Sequence, residues 1–149
     1  LHNDRIGVGY GANSLLSGSL DKPGHTFKNI VGTGPYRDRV AQGFDDGSSC
    51  ADGIYTYERV DLQLLYVLKG LEGCPWLSAP AYEVEFGTSL YDDFAPWWDA
   101  LVSRGWLDWA DGEPRLTGDG IFYTSEIQRC LSWPRNEQLR DPVRLAAAG

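Results

Sequence analysis

The stretch Arg5-Ile-Gly-Val-Gly-Tyr-Gly-Ala-Asn-Ser14 constrains the chain more than any other. Ile6, Val8 and Tyr10 alternate with Gly7, Gly9 and Gly11. A period of two predicts a β-strand. One face of that strand carries large side chains and the other carries none. A bare face lets something bulky come close, either backbone or ligand. Gly7 to Ala12 also fits, formally, the dinucleotide fingerprint with Ala at its third position. That fingerprint needs a strand before it and a helix opening on its last glycines. Asn13 to Gly24 instead hold two glycines and a proline, and no acidic residue ends a second strand at the right distance. Two readings stay open: a strand against which another element packs, or a strand end lining a ligand.

From Gly18 to Asp52 the chain is rich in Gly, Asp and Ser. A short helix is expected around Val31 to Gln42, weakened by Gly32, Gly34 and Pro35. Asp45-Asp46-Gly47-Ser48-Ser49 reads as a turn. With Asp52 it suggests a hard-cation site, but the spacing and terminal Glu of a calcium loop are missing, so a solvated acidic turn is the better reading.

The second segment is more regular. Val60, Leu64, Val67, Leu68 and Leu71 lie on one helix face, closed by Gly73 and Pro75. Ser78 caps a short helix with Pro80 in its first turn, ending before Gly87. Leu90, Phe94, Trp97, Trp98 and Leu101 repeat the helical spacing. Pro96 belongs in a first turn or a kink, which places the helix start near Asp93, and Gly105 closes it. Trp106 to Trp109 and Pro114 to Leu116 read as short strands joined at Asp111-Gly112. Thr117 is expected to cap a last helix running to about Leu131. The order helix, short helix, helix, hairpin, helix is winged-helix-like and sets the expected class as α+β. The expected organisation is residues 1–57 as one segment, 58–132 as the winged-helix-like domain and 133–149 as a flexible tail.

Charge narrows the function. The 149 residues carry 13 Lys and Arg against 21 Asp and Glu, a net charge of −8. Residues 58–149 hold most of it. A winged helix that reads DNA needs Arg, Lys, Asn or Gln on its groove helix. Asp93 to Arg104 offers one Arg beside Trp97, Trp98 and Asp99. Phosphate would be repelled, so no nucleic-acid partner is expected, and the Trp pair reads as core or interface. No apolar run approaches the roughly 20 residues that span a bilayer, so no membrane partner is expected either. Cys50, Cys74 and Cys130 form neither a disulfide framework nor a metal pattern, which fits reduced thiols in a cytoplasmic protein. Cys74 and Cys130 read as core residues. His2 and His25 have no nucleophile partner, and His25 reads as a surface residue. The sequence contains no Met and starts at Leu1, which suggests a segment of a longer protein, with a processed chain or an alternative start codon written as Leu as the alternative.

The opening stretch resembles the last barrel strand of the oxygen-independent coproporphyrinogen oxidase-like radical S-adenosylmethionine proteins, which show a Gly-x-Gly-x-Gly-Ala-x-Ser pattern there. Phe27-Lys28-Asn29 and Tyr36 are similar to that family's Asn and Tyr positions. Leu101 to Leu131 resembles the end of its C-terminal domain, with Gly-Trp-Leu leading into the wing, then Arg115-Leu116-Thr117-x-x-Gly120 and a closing helix. The resemblance covers roughly residues 5–132. It implies a preceding radical domain whose Cys-x-x-x-Cys-x-x-Cys motif, absent from this sequence, holds a [4Fe–4S] cluster. This chain is then the end of the barrel, its connecting segment and a C-terminal domain covering the barrel mouth, with the radical domain and a small-molecule substrate as partners. Gly9, Tyr10, Gly11, Ala12 and Asn13 correspond to the strand end beside the S-adenosylmethionine and substrate chamber. The resemblance assigns no catalytic residue and no metal ligand to this segment. The heme-chaperone branch commonly has His where this chain has Asn13. That departure favours the class C radical methyltransferase and cyclopropanase branch of natural-product pathways, with an oxidase-like activity beside it. The alternative is a free-standing winged-helix module that binds a protein or a planar, heme-like ligand through Tyr10, Trp97 or Trp98.

Overall fold

The computed structural model describes residues 4–19, 22–43, 50–72 and 77–140. The described residues form six helices and two small antiparallel sheets, a mixed α+β architecture. The chain divides into two compact units, 1–62 and 63–149.

The first unit is a three-stranded antiparallel sheet with one helix. β1 (Asn13–Leu16) pairs with β2 (His25–Asn29), which pairs with β3 (Ala51–Thr56). α1 (Thr33–Gly43) connects β2 towards β3 and falls close to the expected span. The strand expected over Ile6 to Tyr10 does not form. Only Arg5 bridges, to Leu15. Gly9 and Gly11 take φ of 103° and 65°, which bends the chain into a turn at Tyr10 and Gly11. Their lack of a Cβ makes that conformation accessible. The chain after β3 is anchored by Asp61. Its buried carboxylate accepts from the Tyr55 hydroxyl at 2.7 Å and from the Glu58 backbone N–H at 2.8 Å. The second bond satisfies one of the donors left open at a helix start.

α2 (Arg59–Glu72) runs across the division between the units. Within the second unit, Tyr66, Val67 and Leu71 are buried on it, while Leu64 and Leu68 are half-buried. Gly73, Cys74 and Pro75 lie outside the described residues. α3 (Ala79–Phe86) follows, with Ser78 accepting from the Ala81 N–H and Gly87 closing it at φ 66°, as the sequence implied. α4 (Leu90–Ser103) starts three residues before the expected Asp93. Ser89 caps it by accepting from the Asp92 N–H, and Phe94 departs from helical geometry at φ −129°. The kink falls two residues before Pro96, which has no N–H to give to the helix ladder. Gly105 closes α4 at φ 68°.

β4 (Leu107–Ala110) and β5 (Glu113–Leu116) form the expected hairpin. Asp111 and Gly112 both have positive φ, as a two-residue turn of this hand requires. Thr117 does not cap the last helix as expected. Its hydroxyl donates to the Gly105 carbonyl at 3.1 Å, and its N–H donates to the Trp106 carbonyl at 2.9 Å. The short α5 (Asp119–Phe122) then begins without a side-chain cap. A Cβ at Gly120 would collide with the same Trp106 oxygen, so the close approach behind the hairpin requires glycine. α6 (Thr124–Arg140) continues well past the expected end at Leu131. Residues 133–140, assigned to a flexible tail by sequence, are helical, and the rest of that tail lies outside the described residues.

Every buried large hydrophobic residue among those described lies in the second unit. Tyr66, Tyr82, Phe86 and Trp98 form its aromatic centre, with Leu90, Leu101, Leu107, Leu116, Ile127 and Leu131 around them. Trp98 is fully buried and its indole N–H donates to the Leu90 carbonyl at 2.9 Å. Trp97 is half-buried. Cys130, expected in the core, is half-buried on α6 instead.

Candidate functional site: a glycine turn held from within

The first unit buries polar side chains at its centre. Ser14 is 1% exposed and Asn29 is 7% exposed. Burying such groups is costly unless they are hydrogen-bonded. Both meet that condition by holding the glycine turn. The Asn29 side-chain amide donates to the Gly9 carbonyl at 2.9 Å and to the Gly7 carbonyl at 3.3 Å. The Asn29 backbone N–H donates to the Ala12 carbonyl at 2.9 Å. The Gly7 N–H donates to the Ser14 hydroxyl at 3.0 Å. Thr26, the second residue of β2, donates to the Ser14 carbonyl at 2.9 Å. The turn is further tied to the end of β2 by the Gly11 N–H, which donates to the Ile30 carbonyl at 3.0 Å.

The five residues assigned to the site by resemblance are consecutive, with Gly9 to Gly11 on the turn and Asn13 opening β1. Gly7, just before them, approaches the Asn13 carbonyl so closely that a Cβ would meet its oxygen at 2.5 Å. Gly9 and Gly11 face open space where a Cβ would stand. Tyr10 between them is 58% exposed. Ala12 is half-buried, and Asn13 is exposed at the start of β1. An exposed aromatic ring and two glycine faces without side chains give the turn one chemical capacity. It can take a planar ligand at close range. His25 is half-buried, with Nδ1 within 3.0 Å of the Thr56 hydroxyl, and takes no part in the turn.

The second unit has a polar cluster that the sequence did not single out. One oxygen of Asp93 accepts from Gln63 at 2.7 Å, from the Tyr82 hydroxyl at 2.7 Å and from the Thr88 hydroxyl at 2.6 Å. Burial first, and then the Asp93 carboxylate, push the Tyr82 phenol well above its ordinary pKa. That oxygen is saturated with donors, which makes the cluster a tie between α2, α3 and α4 rather than a base. The only signal for it in the sequence is the position of Asp93 in the first turns of α4, where an acid also suits the helix dipole.

Among the described residues no three His, Cys, Asp or Glu side chains gather as a metal site. Asp52 is exposed on β3, and Asp45 and Asp46 lie outside the described residues. No helix among the described residues is long and apolar enough to cross a membrane. In comparisons with known proteins, no family model, no curated protein and no solved structure matches this chain.

Proposed function

We propose that this chain is the substrate-covering C-terminal part of a radical S-adenosylmethionine enzyme, a C-methyltransferase or cyclopropanase in natural-product biosynthesis. The observation that carries the reading is the glycine turn. Gly9 and Gly11 are open on their outer side and the turn is held rigidly from its inner side by Asn29 and Ser14. A turn built so that no side chain occupies its outer face suits close approach of a flat or extended cofactor.

The residues fit S-adenosylmethionine in kind. Gly9, Gly11 and Ala12 would meet it through backbone, and the exposed Tyr10 ring offers a surface for the adenine. When bound beside a reduced [4Fe–4S] cluster, that cofactor supplies a 5′-deoxyadenosyl radical. The cluster itself does not fit this chain, since Cys50, Cys74 and Cys130 lack the spacing of a cluster motif, and it belongs in a preceding domain. The task left to this chain is to line the chamber and exclude water from it. The second unit suits a covering role, because its described residues bury an apolar core while Ile121 and Phe122 remain exposed on α5. A covering contact would bury such a pair.

The test is the complete gene product, with iron and sulfide restored under strictly anaerobic conditions and a strong reductant added. The reading expects a Cys-x-x-x-Cys-x-x-Cys motif in the coding sequence upstream and release of 5′-deoxyadenosine from S-adenosylmethionine. It also expects Gly9→Val to reduce that release by at least tenfold while leaving the cluster spectrum intact. A coding sequence without the motif would overturn it.

A further inference from the structure

We infer that Asn29 is the positioning residue of the glycine turn, the clasp that sets how the turn meets its ligand. The inference rests on reading the turn as a cofactor contact. Gly7, Gly9 and Gly11 have no side chains to fix them, and glycine backbone carries the largest conformational freedom of any residue. A defined shape has to be imposed from elsewhere. Asn29 does this from both limbs at once, through its side-chain amide to the Gly7 and Gly9 carbonyls and through its backbone N–H to the Ala12 carbonyl. The β2–β3 register shifts between Lys28 and Asn29. Irregularities of this kind re-aim a side chain next to functional sites.

The chemistry of the contact demands a carboxamide. Its nitrogen carries two N–H groups, one for each of two carbonyl oxygens. A carboxylate of the same shape would set negative oxygens against those carbonyls. A leucine of similar size would fill the space and donate nothing. Ser14 is the lesser support, since it takes the Gly7 N–H alone.

Asn29→Asp in the complete gene product tests this, because it changes donors and charge at constant shape. Two readouts are needed: hydrogen exchange at the Gly11 and Ala12 amides, and the dissociation constant for S-adenosylmethionine. Near pH 7.5 the exchange is expected to rise at least tenfold at those two amides with the β2–β3 ladder unchanged. Binding is expected to weaken about ten- to hundredfold, the scale of a buried carbonyl pair losing its donor. Burial against two carbonyl oxygens raises the new carboxyl above its ordinary range near 4, so lowering the pH towards about 4 protonates it and restores one O–H donor, and the ratio to wild type should narrow. A residue that only fills space would show no such pH dependence. Wild-type exchange in Asn29→Asp, or a ratio to wild type that does not change with pH, overturns the inference. Should that variant fail to fold, Asn29→Gln keeps the carboxamide one methylene further out and is expected to fold with weakened binding. Wild-type affinity in Asn29→Gln overturns the inference as well. If the wild-type protein binds no S-adenosylmethionine, the functional reading fails, and the exchange at Gly11 and Ala12 still decides the role of Asn29.

Discussion

The two units are held together by opposite means. Among the described residues, the second unit buries thirteen large hydrophobic side chains, centred on Trp98 and Tyr82. The first unit buries none of that kind. Its buried side chains are Ser14, Asn29 and Asp61, each engaged in hydrogen bonds. Hydrophobic burial is non-directional and supplies most of the free energy of folding. Hydrogen bonds contribute little net stability but fix geometry, and leaving one unmade is costly. The second unit is therefore stabilised as a body, and the first is specified as a shape.

The largest effect is expected at the aromatic centre. Trp98→Ala removes a fully buried indole and its bond to the Leu90 carbonyl. The expected loss is about 3–5 kcal/mol, read as a lowered denaturant midpoint for tryptophan fluorescence of the second unit. A loss below 1 kcal/mol would mean that the centre is not where stability resides. Gly120→Ala comes next. The new methyl would press on the Trp106 carbonyl, and the backbone behind the hairpin would have to shift. The expected cost is about 1–3 kcal/mol, measured by thermal unfolding.

Smaller effects are expected where a single hydrogen bond is lost. Ser14→Ala leaves the Gly7 N–H without its acceptor, with an expected cost of about 1–2 kcal/mol and faster amide exchange at Gly7. The loss should be confined to the first unit, with unfolding of the second unchanged. Tyr82→Phe removes one of three donors to Asp93 and is expected to cost about 1 kcal/mol. Its signature is alkaline. The folded Tyr82 phenol lies above its unfolded value near 10. A raised phenol contributes stability that is whole below that value and is lost as pH rises through it. Tyr66, raised chiefly by burial, acts in the same direction. Wild-type protein should lose stability above pH 10, and Tyr82→Phe should flatten that decline. A decline of equal slope in both proteins would show that Tyr82 is not its source.

Much of the second unit was legible in its sequence, because its signals are local and agree with one another. Ser78 with Pro80 and Gly87 bounds α3, and Asp111-Gly112 sets the hairpin, each through short-range backbone chemistry. The departures arose where a competing local feature won. Ser89 captured the start of α4 ahead of Pro96, and Thr117 turned to the Gly105 carbonyl instead of capping a helix. The first unit was harder to read. The alternation at Ile6 to Tyr10 fits a strand, yet the carbonyls of Gly7 and Gly9 go to the Asn29 side chain, twenty or more residues away. No period or cap reveals a bond of that kind. The glycine spacing marked the turn as a place of close approach, while the group that holds it was visible only in three dimensions.

The most direct measurement is amide hydrogen exchange on the complete gene product with and without S-adenosylmethionine. Protection is predicted to rise across Gly9, Tyr10, Gly11, Ala12 and Asn13, with the amides of α3 and α4 unchanged. Exchange at those five residues that is indifferent to the cofactor, or protection confined to the second unit, would contradict the assignment of the glycine turn as the ligand-facing part of this chain.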